Sequence, residues 1–127
     1  MIFDTDVLIW YLRGNPRARA LLASLEHPDR QASVLAHMEL YAGARGASEM
    51  REIDRMMDSV FSRVLPIAEP VSALALRLMK RWAPGHGLRP VDAMVAATAL
   101  GAKQALATGN ARHFRMIPGL RIHRFSP

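Results

Sequence analysis

No cysteine occurs in the chain, which excludes disulfides, thiolate zinc sites and a cysteine nucleophile together. What a secretory or membrane role would require is missing as well. The N-terminus has no basic segment ahead of an apolar one, and Asp4, Asp6 and Arg13 cut its first apolar stretches. The longest weakly polar run, residues 93–107, is alanine-rich and interrupted by Thr98, Gly101, Lys103 and Gln104, so it does not read as a membrane span. A cytoplasmic protein without membrane association is expected. Acidic residues are the minority, eleven against seventeen Lys and Arg, for a formal charge of +6. Nearly all the cations are arginine, whose planar fork of donors matches phosphate oxygens, so the surface suits a polyanionic partner as well as it serves solubility. There is no repeat, low-complexity tract or linker. The 127 residues, half of them hydrophobic, read as one domain spanning residues 1–127 with a full core.

What is present is alternation. Met1–Phe3, Gln31–Ser33, Val64–Ile67, Ala105–Thr108 and an edge-like Leu120–Phe125 read as strands. Helices are expected from Val7 with Asp6 as its cap, and from Pro16, capped by Asn15, to about Glu26. Others run from Val34 to Ala44 with an end at Gly46, from Ser48 to Ser62, from Pro70 to the stop signal "APGHG", and from Pro90 to Gly101. The last is apolar almost all round, the mark of a buried helix. Short strands alternating with helices predict an α/β fold, with helices layered on both faces of a mostly parallel sheet.

Three carboxylates stand out against this pattern. In "MIFDTDVLIW", Asp4 falls at the carboxyl end of the first strand, the edge of a parallel sheet where ligands bind. An ionised carboxylate buried there needs a positive partner: an arginine, a helix N-terminus or a metal. Glu39 shares a helix side with Leu35 and Ala42 and is expected among core contacts, where a buried arginine pair is the plain alternative. Asp92 is the one ionisable residue between Val91 and Ala102 and falls in a helix's first turn, where free N–H groups favour it with or without chemistry. Oxygen ligands without Cys suit Mg²⁺ or Mn²⁺. Asp6 is explained by capping alone.

"FDTDVLIWYL", "SVLAHMELYAG", "GLRPVDAMVAATAL" and "LATGNARHFRMIPGL", in that order, resemble the PIN-domain family, most closely its VapC-type toxin ribonucleases. The resemblance spans nearly the whole chain. It implies a three-layer α/β/α sandwich on a parallel sheet of about five strands, with Asp4, Glu39 and Asp92 as metal-binding catalytic carboxylates and Thr5 as an active-site hydroxyl. It also implies Mg²⁺- or Mn²⁺-dependent cleavage of RNA, a homodimer, and a cognate antitoxin protein as partner. Two departures affect the site. The family more often has Asn where Asp6 stands, and the fourth block lacks the acid many relatives carry, leaving Asn110 and His113 as substitutes. Trp10, Tyr11, Met38, Tyr41, Met56 and Met57 are more apolar bulk than the early helices need for one core face; core packing is expected for most of them, and by the resemblance an antitoxin segment would fill a groove that the rest line.

The opening "IFDTDVLI" also looks like that of a haloacid-dehalogenase-type phosphatase, but Asp92 has no acidic neighbour and the chain is short for that core. A metal-free ribonuclease built on two of the five histidines would survive chelator. A catalytically inactive RNA- or protein-binding module on the same fold is the non-enzyme alternative. No aromatic-rich strand or base-reading motif is visible, so the choice of RNA is not written in the sequence.

Overall fold

A computed structural model describes residues 1–127. Five strands form one sheet: β1 (Ile2–Phe3), β2 (Gln31–Ser33), β3 (Arg63–Leu65), β4 (Leu106–Thr108) and β5 (Ile122–Arg124). Their spatial order is β3-β2-β1-β4-β5 and every pairing is parallel. The register sets Ile2 beside Leu106 and Phe3 beside both Ala32 and Ala107. Since strand side chains alternate faces, Ile2 and Leu106 enter one core while Phe3, Ala32 and Ala107 enter the other. Both faces are therefore apolar, which is why these strands are short hydrophobic runs.

Helices α1 (Thr5–Leu12), α2 (Pro16–Ala23), α3 (Val34–Gly43) and α4 (Ala47–Ser59) cover the Phe3 face. Helices α5 (Glu69–His86) and α6 (Pro90–Gly101) cover the other, so the architecture is α/β/α as expected. On α6, Ala93, Ala96, Ala97 and Ala99 have no exposed surface, and these small side chains let the helix lie close to both sheet and α5. No helix is long and apolar enough to cross a membrane.

The differences from expectation lie at element ends. Helix α1 begins at Thr5, two residues early, because Asp4 takes an extended backbone and its own carboxylate accepts from Thr5 N–H. Asp4, not Asp6, is the cap. Helix α2 stops at Ala23, three residues short; the Ser24 hydroxyl donates to Leu21 O at 2.6 Å, and a 3₁₀ turn at His27–Asp29 follows. Gly46 opens α4 instead of closing α3. Met56 and Met57 are buried in the core, and Trp10, Tyr11 and Tyr41 pack half-buried against it, leaving Met38 as the exposed one of the six residues expected in core or groove. The open cleft lies elsewhere, between α1, α3 and α4, with a volume of about 520 Å³, a floor of Ile9, Leu12, Leu40 and Ile53, and Glu39 at its wall.

Close approach along α6 makes its alanines sensitive to size. Replacing Ala96 by Leu forces extra methylenes into a filled core, and a loss of about 1–3 kcal/mol in urea unfolding is expected.

Candidate active site

Strand order reverses between β1 and β4: from β1 the chain builds outward through β2 and β3, then crosses to β4 on the other side. Such a switch point opens a crevice at the carboxyl ends of the two strands. Asp4 follows β1 and Thr108 closes β4, so they face each other across it. The Thr108 hydroxyl donates to Asp4 Oδ2 at 2.8 Å and accepts from Asn110 N–H at 3.0 Å, which fixes the direction of its proton. Asp4 Oδ1 accepts from Thr5 N–H at 2.9 Å. Burial pushes the Asp4 carboxyl up to about 6; the Thr108 hydrogen bond opposes this, and the charges of Asp6 and Asp92 add to it.

Asp6 lies in the first turn of α1 and ties that helix to the loop after β4. Its Oδ1 accepts from Val7 N–H and its Oδ2 from Gly109 N–H, each at 2.8 Å, with Asn110 Nδ2 at 3.5 Å from Oδ2. A side chain on Gly109 would run into the Asp6 carboxylate, so glycine is required there by close approach. Burial raises the Asp6 pKa, and the two backbone N–H groups hold it back.

Glu39 is exposed, contrary to its expected place among core contacts. Leu35, Ala36 and Leu40 take the buried face of α3, and Glu39 falls just off it at the rim. Its partner is neither an arginine nor the core: the Thr5 hydroxyl donates to Glu39 Oε1 at 2.8 Å. Asp92 comes from the opposite layer, in the first turn of α6, with His113 Nδ1 3.6 Å from its Oδ2. Burial raises the Asp92 pKa and Glu39 adds to the rise, while His113 and Arg89 oppose it. His113 therefore belongs to this crevice.

These carboxylates sense one another, Asp92 acting on Asp4 and Glu39 on Asp92. Oxygen donors only, with like charges held together and the one ion pair that of His113 with Asp92, suit a hard divalent cation. No three Asp, Glu or His side chains converge on one point as they lie. Mg²⁺ needs no such convergence, since it is commonly held through one or two carboxylates and keeps several waters. The donor set fits on those terms. Sequence reasoning passed over Thr108, Gly109 and Arg89. "LATGN" did carry a signal, a hydroxyl at the end of a buried strand followed by glycine, but only the β1–β4 pairing shows what it faces.

The PIN-domain family model matches residues 1–120. Ribonuclease VapC19 of Mycobacterium tuberculosis is 35% identical over 123 residues, covering 94% of this chain and 96% of its own. Ribonuclease VapC10 of the same organism is 37% identical, with 95% and 90% covered. Among solved structures, a toxin-antitoxin complex from Klebsiella pneumoniae contains a chain 26% identical, with a TM-score of 0.76 and 98% of each chain covered. With a family model spanning nearly all of it and two VapC relatives aligned end to end, the chain belongs to the PIN-domain family, as a VapC-type member.

Proposed function

We propose that residues 1–127 act as one domain whose activity is metal-dependent hydrolysis of RNA phosphodiester bonds, in the role of the toxin of a toxin-antitoxin pair. The observation that supports this reading is that Asp4 at the switch point of a parallel sheet feels the charge of Asp92, and Asp92 that of Glu39, the three carboxylates coming from three separate elements. Asp4, Glu39 and Asp92 would hold Mg²⁺ or Mn²⁺. When bound, the cation lowers the pKa of its water and neutralises charge on the reacting phosphate. Thr108 and Thr5 N–H keep Asp4 aimed, and Thr5 Oγ1 does the same for Glu39. His113 steadies Asp92 from the other side. By the resemblance, the products carry a 5′-phosphate and a 3′-hydroxyl. The names of VapC relatives and the toxin-antitoxin neighbour support the RNA substrate and a cognate antitoxin, and the apolar-floored cleft ending at Glu39 suits a partner segment. A homodimer is the proposed assembly, and the cytoplasm the proposed location. The lack of a three-carboxylate convergence favours one second reading, a catalytically inactive RNA- or protein-binding module.

The two readings part on substitution. Asp4→Asn, Glu39→Gln and Asp92→Asn are each expected to lower Mg²⁺-dependent RNA cleavage by roughly 100-fold or more, with unchanged circular dichroism. Full cleavage by pure Asp4→Asn protein rules out this site, and a wild-type protein that binds RNA without cutting it selects the binding module.

Metal stoichiometry follows from the partners of Asp6. Both its oxygens are engaged by backbone N–H groups, and two divalent ions about 4 Å apart repel strongly unless several free carboxylates share the charge. Calorimetric titration of the RNA-free protein with Mn²⁺ is expected to show one site. Two filled sites at low millimolar metal would make Asp6 a ligand.

The raised Asp4 pKa has a definite sign. A carboxyl that binds its proton more tightly folded than unfolded adds stability fully below its unfolded pKa, near 4, and loses it as pH rises through about 6. The metal-free protein is therefore expected to lose about 2–3 kcal/mol in urea unfolding between pH 4 and pH 7 from this group. Asp4→Asn removes that slope. Mn²⁺ affinity runs the other way and is expected to fall about tenfold from pH 7 to pH 5 as Asp4 takes up its proton.

A further inference from the structure

Beside the carboxylates lies a second cavity, of about 220 Å³, whose lining includes Asp92. Two segments build it. One is the break at the end of α5, where Pro84 leaves helical geometry and Gly85 and Gly87 adopt φ of +76° and +68°, so that "APGHG" turns the chain and presents His86 and Arg89. The other is the 3₁₀ turn after β4, which brings Arg112 and His113, with Arg115 just beyond it. Left-handed glycines fix the first segment with no strain to be relieved by a ligand.

The lining holds three guanidinium groups and two imidazoles against a single carboxylate. Arg45 with Glu49 is an arginine–carboxylate ion pair elsewhere in the chain; at the cavity Arg89 feels Asp92, while Arg112 and Arg115 make no salt bridge. Met116 is the one hydrophobic residue of the lining, so the groups that can select a ligand there are charged or polar. At ~30 Å³ per water, the space suits a phosphate group and a few waters. The fourth sequence block, which lacks the acid expected by resemblance, supplies cations here instead.

We propose that this cavity is a phosphate-binding subsite, which takes an RNA backbone phosphate neighbouring the one presented to Asp4 and Asp92. The proposal rests on the hydrolase reading for its choice of RNA. Arginine forks grip two phosphate oxygens at once and suit such a site better than lysine. With acids on one side and arginines on the other, the crevice aligns a strand by charge, one phosphate on the cation and the next on the guanidiniums.

The test uses the full chain carrying Asp4→Asn, which keeps a labelled single-stranded RNA intact, and reads its dissociation constant across salt concentrations. Adding Arg112→Ala and Arg115→Ala is expected to weaken binding at least tenfold and to reduce the slope of log K against log salt by about 0.7, one phosphate's worth for a single strand. The Arg112→Lys and Arg115→Lys pair retains most of the slope with weaker binding. In the wild-type background the alanine pair leaves Mn²⁺ affinity unchanged. Unchanged RNA affinity and slope in the alanine pair overturn the subsite, even if the wild-type protein cleaves RNA. An arginine-dependent slope in a protein that never cleaves keeps the subsite and discards the hydrolase. Inorganic phosphate that binds through Arg112 and Arg115 while RNA binding ignores them marks a site for the free ion, and also overturns the proposal. Arg112 and Arg115 are exposed; should the alanine pair unfold, Arg112→Ala alone serves, with weaker binding and a smaller change in slope.

Discussion

A carboxylate at the end of a buried strand has to be held in place without a protein cation to neutralise it, and here that task falls on the hydrogen bond between Asp4 and the Thr108 hydroxyl. It joins the carboxyl ends of β1 and β4, the paired strands at which strand order reverses and the crevice opens. Around it the remaining parts order themselves. Asn110 N–H fixes the proton of Thr108, Gly109 N–H fixes Asp6, and Asp6 in turn fastens α1 to the loop after β4. Asp92 and Glu39 then approach from opposite layers toward a group whose position is already set. Burial, with the charges of Asp6 and Asp92 adding to it, raises the pKa of Asp4 and makes a cation the natural complement of the site.

Where a residue's neighbours lie close in sequence, the sequence revealed its place. Helix α6 runs from Pro90 to Gly101 as read, because proline at its start and glycine at its end punctuate an unbroken apolar stretch. Strand β2 was legible to the residue for the same reason. The start of α1 was not, since both Asp4 and Asp6 are good caps by type, and the choice between them is made by strand pairing that holds Asp4 extended. Glu39 was misplaced because helical spacing marks a face without saying where the sheet beneath it stops. Thr108, Gly109 and Arg89 stayed hidden because their importance lies in what faces them from another part of the chain. A position at a strand's end becomes informative once strand order is known.

The crevice has two unlike walls. On one side stand the carboxylates of β1, α1, α3 and α6; on the other, the arginines and histidines of the α5–α6 turn and of the segment after β4. Asp92 belongs to both, since it lines the basic cavity and senses the acidic cluster. His113 sits at the same boundary, 3.6 Å from Asp92 and acting on Asp6 as well. An evenly acidic crevice would repel a polyanion; this arrangement confines the repulsion to the spot where a cation would relieve it.

The pairing of β1 with β4 also imposes a schedule on the protein's birth. Asp4 emerges from the ribosome 104 positions ahead of Thr108. Domains generally fold as units, and β1, the middle strand, has only β2 to pair with until β4 emerges. A nascent chain that has made only β1, β2 and β3 has an open sheet edge at β1, no Thr108 to hold Asp4 and no basic wall. The crevice is completed only once α6 and β4 have been made, so a chain stalled before them carries Asp4, Asp6 and Glu39 without Asp92 or the frame that aims them.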